Sequence, residues 1–329
     1  MNSYMKHSKT LFALLAMTFL LAVPADAKKD KDNLRLLYWN IQNGMWDGQT
    51  DNYDRFVNWV KAQDADICVW CEAQSIFKSN TADFMDKKDR FFVDGWAKTA
   101  RRYGHKYVYV GGHHDNYPQV ITSRMPIHNV ARLLGSKADT LVCHGGGWAT
   151  VEKNGHTINV VTLHTWPQAY GYGVKAEDRQ RSAANHEGDY FRRTEMEYII
   201  NHTIGQVKGG KDQLWMMMGD FNSRSPQDND TYNWSENSTG FLVHNYILKN
   251  SPYLDLIKET HRGQFIPSMG HGRSRIDFIY VTPPMLNRVK ASAIIWDLYT
   301  TPIRDPQNLS NFWRPSDHLP IMVDFDMSR

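Results

Sequence analysis

The apolar runs of this chain are short, and many of them stop on a polar side chain. Residues 34–41 are hydrophobic at nearly every position, which predicts a strand covered on both faces. Residues 51–63 carry Tyr53, Phe56, Val57 and Val60 at helical spacing, with Asp51 placed to cap the helix. Residues 65–71 read as a second buried strand, and 78–104 as a charged, irregular stretch of helix and loops. Further strands are predicted at 106–111, 119–123, 147–152 and 157–163. The region 177–204 is charge-rich and helical, with Tyr190, Phe191, Tyr198 and Ile199 as its apolar positions. A strand at 213–218 runs into the turn Gly219-Asp220-Phe221-Asn222. A helix at 241–249 and strands at 275–282 and 319–326 follow.

Six of these strands share a second property. Asn40, Glu72, His164 and Asp220 (with Asn222) close their strands, whereas Asp277 and the pair Asp317-His318 open theirs. If all six groups share one rim, the last two strands must run against the first four. A parallel (β/α)8 barrel uses C-terminal strand ends only, so the pattern argues against one. The expected fold class is α/β: a four-layered α/β/β/α sandwich, two mixed β-sheets packed face to face with helices outside. Nothing resembling a linker or repeat divides residues 28–329, so a single catalytic domain is expected there.

The first residues change the picture of where the protein works. Lys6 and Lys9 precede an apolar run from Leu11 to Val23, and Ala25-Asp26-Ala27 offers small residues for cleavage. Residues 1–27 therefore read as a signal peptide, with export to the periplasm or beyond. The run is short for a membrane span, and no insertion is expected after cleavage. Of the 329 residues, 38 are Lys or Arg and 35 Asp or Glu, a formal charge of +3. Loss of the leader removes two lysines and one aspartate, leaving a mild positive balance that neither requires nor excludes a polyanion. Cys68 and Cys71, three apart in a strand, point to opposite faces and should not bridge. With Cys143 they are expected to be small buried hydrophobes.

Asp220 leaves a strongly apolar strand, where a carboxylate is costly unless it is paired or working. Asn222, two residues on, offers both a donor and an acceptor; a plain capping turn is the structural alternative. Asp317 and His318 reach one site only if the chain bends, which Pro315 and Pro320 favour. Asp277 in a buried strand needs a cation or a histidine. Paired with His318 it would create a general base; an ion pair with Arg273 or Arg275 is the alternative. Glu72, on the face of Cys68 and Trp70, and Asn40 supply hard oxygens of the kind magnesium prefers. His164 alone is ambiguous, because strand-end histidines are often structural. Beyond it, Trp166, Tyr170 and Tyr172 form an aromatic, mobile-looking loop suited to stacking on a base or headgroup, or to packing on the surface. His113, His114, Asp115 and Asn116 match no named motif; a second metal site and a solvated loop are both open.

In this order and spacing, Asn…Glu…His…Asp-x-Asn…Asp…Asp-His, the chain resembles the endonuclease/exonuclease/phosphatase superfamily. That group includes deoxyribonuclease I, exonuclease III, inositol polyphosphate 5-phosphatases and bacterial sphingomyelinases. The resemblance runs from about Leu34 to Asp326 and takes in Val120-Ile121-Thr122-Ser123-Arg124-Met125-Pro126. It implies a hydrolase of phosphoric esters that uses Mg2+, with Mn2+ or Ca2+ as alternatives. Glu72, Asn40 and Asp317 would hold the metal. His318 with Asp277 would activate water, Asp220 and Asn222 would orient water and phosphate, and His164 would contact phosphate or assist the leaving group. A histidine at position 164 is like deoxyribonuclease I rather than exonuclease III-type repair enzymes, and Asp115 is a loose match for its acidic partner. The expected substrate is a phosphodiester in nucleic acid or a phospholipid headgroup, with no obligate protein partner. A phosphomonoesterase acting on a small phosphorylated sugar, inositol or nucleotide is the alternative. A catalytically silent binding module would be expected to lose His164, Asp220, Asp277 or His318, and all four are present. A carboxylate-pair glycosidase would need neither Asn222 nor the Asp317-His318 pair.

Overall fold

The computed structural model describes residues 30–45, 51–73, 93–113, 117–136, 141–304 and 313–329. The leader, residues 78–92, and His114, Asp115 and Asn116 lie outside them. Two six-stranded sheets organise residues 32–329, which form one compact unit.

The first sheet contains β1 (Asn33–Asn40), β2 (Ile67–Cys71), β3 (Tyr107–Gly111), β4 (Gln119–Ser123), β11 (Val289–Ile294) and β14 (Ile321–Asp326). Their order is β11-β14-β1-β2-β4-β3, and only β1 and β2 run parallel. The second contains β5 (Ile127–Leu133), β6 (Gly146–Lys153), β7 (His156–His164), β8 (Leu214–Asp220), β9 (Leu254–Asp255) and β10 (Asp277–Val281). It is ordered β5-β6-β7-β8-β10-β9, with β7 and β8 its one parallel pair. A small ribbon, β12 (Ile303–Arg304) with β13 (Trp313–Arg314), stands apart. Strands β10 and β14 run against β8 and β1, as a shared rim demands.

Strand alternation sorts side chains into layers. Leu34, Leu36 and Tyr38 of β1 and Ile67, Val69 and Cys71 of β2 meet Met216, Met218, Ile279 and Val281 of the second sheet in one inter-sheet core. The opposite faces are covered by helices. Trp39 and Trp70 pack under Phe56 of the helix Asp54–Gln63 and Trp96 of the helix Val93–Arg102. Trp215 and Met217 pack under Met196 of the helix Glu187–Asn201 and Ile247 of the helix Leu242–Asn250. This is the α/β/β/α sandwich expected. Truncating a fully buried ring such as Trp70 would cost about 3–5 kcal/mol.

Three details differ from expectation. The strands β5 and β11 escaped the sequence pattern because β5 is largely exposed and β11 is at most half-buried, so neither shows a buried apolar face. The helix Asp54–Gln63 starts behind Tyr53 in the left-handed conformation, so Asp51 is not the N-cap residue itself, yet it accepts from the Arg55 backbone N–H of the first turn (3.4 Å) and from the Arg55 side chain (2.8 Å). The aromatic loop after His164 is tied down: the Trp166 backbone N–H donates to Glu195 (2.8 Å) and Tyr172 stacks on Phe191 at 5.4 Å. Cys68, Cys71 and Cys143 are buried and form no disulfide among the described residues. Among the described residues no helix is long and apolar enough to cross a membrane.

Candidate active site

Parity explains most of the rim. Asn40, Asp220 and Asp277 keep the phase of the inward-facing residues of their strands, so each points between the sheets at the strand end. Register then aligns the second sheet's share: His164 pairs with Asp220, and Asp220 with Asp277, in one row across β7, β8 and β10. Glu72 would follow Cys68 and Trp70 to the outer, helix-covered face. It reaches the rim because the chain leaves β2 with φ of 53° at Glu72. The loop after β1 then closes on it, with the Asn43 N–H on Oε2 (3.0 Å) and the Gly44 N–H on its carbonyl (2.6 Å).

The expected bend places His318. The Ser316 hydroxyl donates to the Asn40 carbonyl (2.7 Å) and accepts from the His318 N–H (3.1 Å), and the Trp39 indole donates to the His318 carbonyl (2.9 Å). The imidazole Nδ1 lies 2.7 Å from Asp277 Oδ2. Asp277 is fully buried and also accepts from the Tyr38 hydroxyl (2.7 Å) and the Ser268 hydroxyl (2.8 Å). Asp277 is thus a partner of histidine and not of arginine, since Arg275 binds Asp228 and Asp255. Burial alone would lower the pKa of His318, but Asp277, Asp317 and Asp220 outweigh it and hold the ring well above its usual value. Its Nε2 faces the rim, 3.8 Å from both Asp220 and Asp317.

Asn40 Nδ2 reaches Asp220 Oδ2 (3.1 Å) and Glu72 Oε1 (3.2 Å), while Oδ1 accepts from the Gln42 N–H (3.1 Å). Its amide therefore bridges two carboxylates as a donor. Asn222, at φ of 45°, turns its own N–H back onto Asp220 Oδ1 (2.9 Å) and donates from Nδ2 to the Thr165 carbonyl (3.1 Å). Asp220 is raised well above the usual carboxylate range by burial and by the nearby Asp277. Burial, opposed by His318, likewise raises Glu72.

The donor set fits a divalent cation. Glu72, Asp220, Asp277 and Asp317 have no lysine or arginine ion partner among the described residues, and His318 is the cation they share. Glu72, His164 and Asp220 bring one ligand atom each within 4.8 Å of one another, as do Asp220, Asp277 and His318. Hard oxygens in excess of local positive charge are what magnesium- or calcium-like ions select.

Several participants were not foreseen. Tyr38 shares the inward phase of Asn40 and could have been read from it; Ser268 gave no signal, being in a turn ahead of β10. His144 stacks on His164 at 4.4 Å, with Tyr117 edge-on to both. Burial, with His144 and His318 nearby, keeps His164 well below the usual histidine pKa. Its Nδ1 has no hydrogen-bond partner among the described residues, and the suggested partner Asp115 lies outside them. The clue to His144 is the run Gly145-Gly146-Gly147. Gly145 has φ of 73°, and a Cβ there would sit 2.6 Å from Gly112 Cα, so the two turns approach only as glycine. His113 donates to or accepts nothing at the rim; its Nε2 bonds the Val142 carbonyl (2.9 Å).

Solved structures share the fold at low sequence identity. An AP endonuclease from Archaeoglobus fulgidus is 17% identical over 89% of this chain and 99% of its own, with a TM-score of 0.55. A 3'-5' exonuclease from Neisseria meningitidis is 17% identical over 89% and 100%, with a TM-score of 0.56. The catalytic domain of human nocturnin, solved with bound sulfate, is 14% identical over 89% and 93%, with a TM-score of 0.56. No curated protein matches the sequence. The family model for the endonuclease/exonuclease/phosphatase family matches residues 37–318, spanning every rim group from Asn40 to His318, and the chain belongs to that family of metal-dependent phosphoester hydrolases.

Proposed function

We propose that the protein is an exported, magnesium-dependent phosphodiesterase that hydrolyses its ester by in-line attack of water activated by His318 and Asp277. The observation that carries the reading is the Asp277–His318 pair at 2.7 Å, aimed at a rim of carboxylates that have no arginine or lysine ion partner among the described residues. Asp277 holds the imidazole by Nδ1, so Nε2 of the neutral ring is the atom that takes the proton from water, and Asp277 stabilises the charged ring that results; a cation bound among the rim carboxylates would offset the pull that otherwise keeps the ring protonated. Tyr38 and Ser268 fix Asp277 against rotation. Asp220 and Asn222 orient water and phosphate, and buried, neutral His164 faces the phosphate as a donor without adding repulsion to nearby His318. Glu72 and Asp317 would hold the cation, with Asn40 keeping Glu72 in place or turning its oxygen inward. When bound, the cation stabilises charge on the phosphate and the leaving oxygen.

A phosphomonoester is the second reading, favoured by a cleft beside Asn222 that suits one small group. A fold neighbour of 17% identity is a 3' phosphatase from Neisseria solved with a product DNA hairpin. The signal-like residues 1–27 support export. The deciding assay is turnover by purified residues 28–329 with magnesium, with and without chelator. The substrates are bis-p-nitrophenyl phosphate, p-nitrophenyl phosphate, plasmid DNA and sphingomyelin. Chelator-sensitive hydrolysis of a diester ahead of the monoester supports the first reading, and the reverse order supports the second. A folded protein silent on all four counts against both.

A further inference from the structure

Asn222 belongs to two places at once. Its N–H closes on Asp220 at the rim, and its side chain lines a cleft of about 570 Å³ on the second sheet's side. That volume suits one substituted ring and lies within the usual size of a small-molecule site. On its floor, Ser223 follows Asn222 directly and is held by buried His244 (3.0 Å), itself bonded to the Tyr280 hydroxyl (2.7 Å). Trp234 forms a wall and keeps 41% of its surface exposed. The Arg224 guanidinium lies 6.0 Å from the centre of its ring and has no carboxylate partner among the described residues. Opposite stand His186 and Asp189, the latter bonded to Thr239 (2.6 Å) and paired with Arg192.

We propose that this cleft seats a single polyhydroxylated ring, of pyranose size, whose phosphate ester lies at the Asp220–His318 rim. The inference rests on the proposed phosphoesterase reading and narrows its substrate. Three properties of the lining choose this ligand. Trp234 supplies exposed indole surface, suited to the C–H face of a sugar, and among the described residues no tyrosine, phenylalanine or second tryptophan joins it in the lining to sandwich a base. Beside the paired Asp189 and Arg192, much of the rest (Ser235, Asn237 and Ser238 among them) is short hydroxyls and amides that both donate and accept. Sugar hydroxyls have the same dual character, whereas a nucleobase edge presents a fixed pattern. Finally, Arg224 offers several donors without an internal acceptor, so desolvating it against hydroxyl oxygens leaves nothing unpaired. Asn222, shared by rim and cleft, makes the phosphate and the ring neighbours in one molecule.

Binding is the test, so that the result stands apart from turnover. The full mature chain carrying His318→Ala is titrated calorimetrically, with magnesium present, against glucose 1-phosphate, glucose 6-phosphate, adenosine monophosphate and inorganic phosphate. A hexose phosphate is expected to bind at least tenfold more tightly than inorganic phosphate and than the nucleotide. Adding Trp234→Ala, or Arg224→Gln on the solvent side should the tryptophan variant not fold, is expected to erase most of that advantage. Tighter binding of the nucleotide, equal binding of inorganic phosphate, or an advantage that survives both substitutions would overturn the proposal. Failure of the underlying reading looks different: wild-type protein that stays folded yet hydrolyses neither nitrophenyl ester.

Discussion

The two sheets have the same plan. Read from β11 or from β9, neighbouring strands pair antiparallel, antiparallel, parallel, antiparallel, antiparallel. On this plan β1 corresponds to β8, β2 to β7 and β14 to β10. Each sheet contributes to the rim from the same three places, and the corresponding groups touch: Asn40 meets Asp220 at 3.1 Å, and His318 meets Asp277 at 2.7 Å. Their chemistry has diverged. The first sheet offers Glu72, Asp317 and the titrating His318; the second offers a row of His164, Asp220 and Asp277 fixed by register. Neither sheet holds the whole rim, and the His318–Asp277 pair is an inter-sheet contact. Precision at the rim is therefore set by core packing below it.

The sharpest way to break this correspondence is to cut the pair from either side. His318→Ala and Asp277→Asn should each lower kcat by about a thousandfold or more, with melting temperature used to verify the fold. Because the two act as a unit, the double variant should be little worse than the worse single one. A double loss equal to the product of the two would show independent roles.

Glu72→Gln tests the first sheet's share. The magnesium concentration for half-maximal turnover should rise at least tenfold, comparable to the loss of ligand support seen at other metal sites. In chelator the variant should melt higher than the wild type, because one of the mutually repelling rim carboxylates is gone. A lower melting temperature in chelator would mean that Glu72 is mainly structural.

Tyr38→Phe removes one of Asp277's two hydroxyl donors from the first sheet, and kcat should fall about tenfold with KM near its original value, a loss of order 1.5 kcal/mol. Equal changes in both constants would instead point to a general loosening of the rim.

The smallest effect separates the layers behind the sheets. Burial holds His105, behind the first sheet, neutral down to about pH 4, and His244, behind the second, down to about pH 3. Unfolded histidine takes a proton near pH 6.5. Above that value neither ring makes stability depend on pH. As pH falls below it the unfolded chain binds protons that the fold refuses, so stability drops by up to about 1.4 kcal/mol per pH unit per ring. In denaturant titrations from pH 7 to 4, His105→Gln or His244→Gln should flatten that slope by up to this amount. At still lower pH only the His244 variant should remain flatter. An unchanged slope in both would remove burial as the cause.

Much of this site was legible because the signal is local. The ends of the apolar runs marked Asn40, His164, Asp220 and Asp277, and the opposite ends used by the last two strands pointed to mixed sheets. What stayed hidden is long-range or conformational. Tyr38 and Ser268 matter through contacts made across the sandwich, and His144 through a close approach that glycine allows. Glu72 was expected at the rim, but by parity alone it would face the helices; a single positive φ corrects it. The edge strands β5 and β11 were missed because exposed edges have little apolar pattern to read.

The position of β14 has a consequence for timing. It pairs with β1, the first strand made, and the base His318 lies just before it. While the chain is being synthesised, Glu72, His164, Asp220 and Asp277 can all be present before the proposed base. A molecule interrupted before Asp317 would lack both that proposed ligand and the proposed base His318, and would remain chemically inert. On the proposed mechanism, hydrolysis therefore waits for the final strand, and a partly made chain carries no competent site.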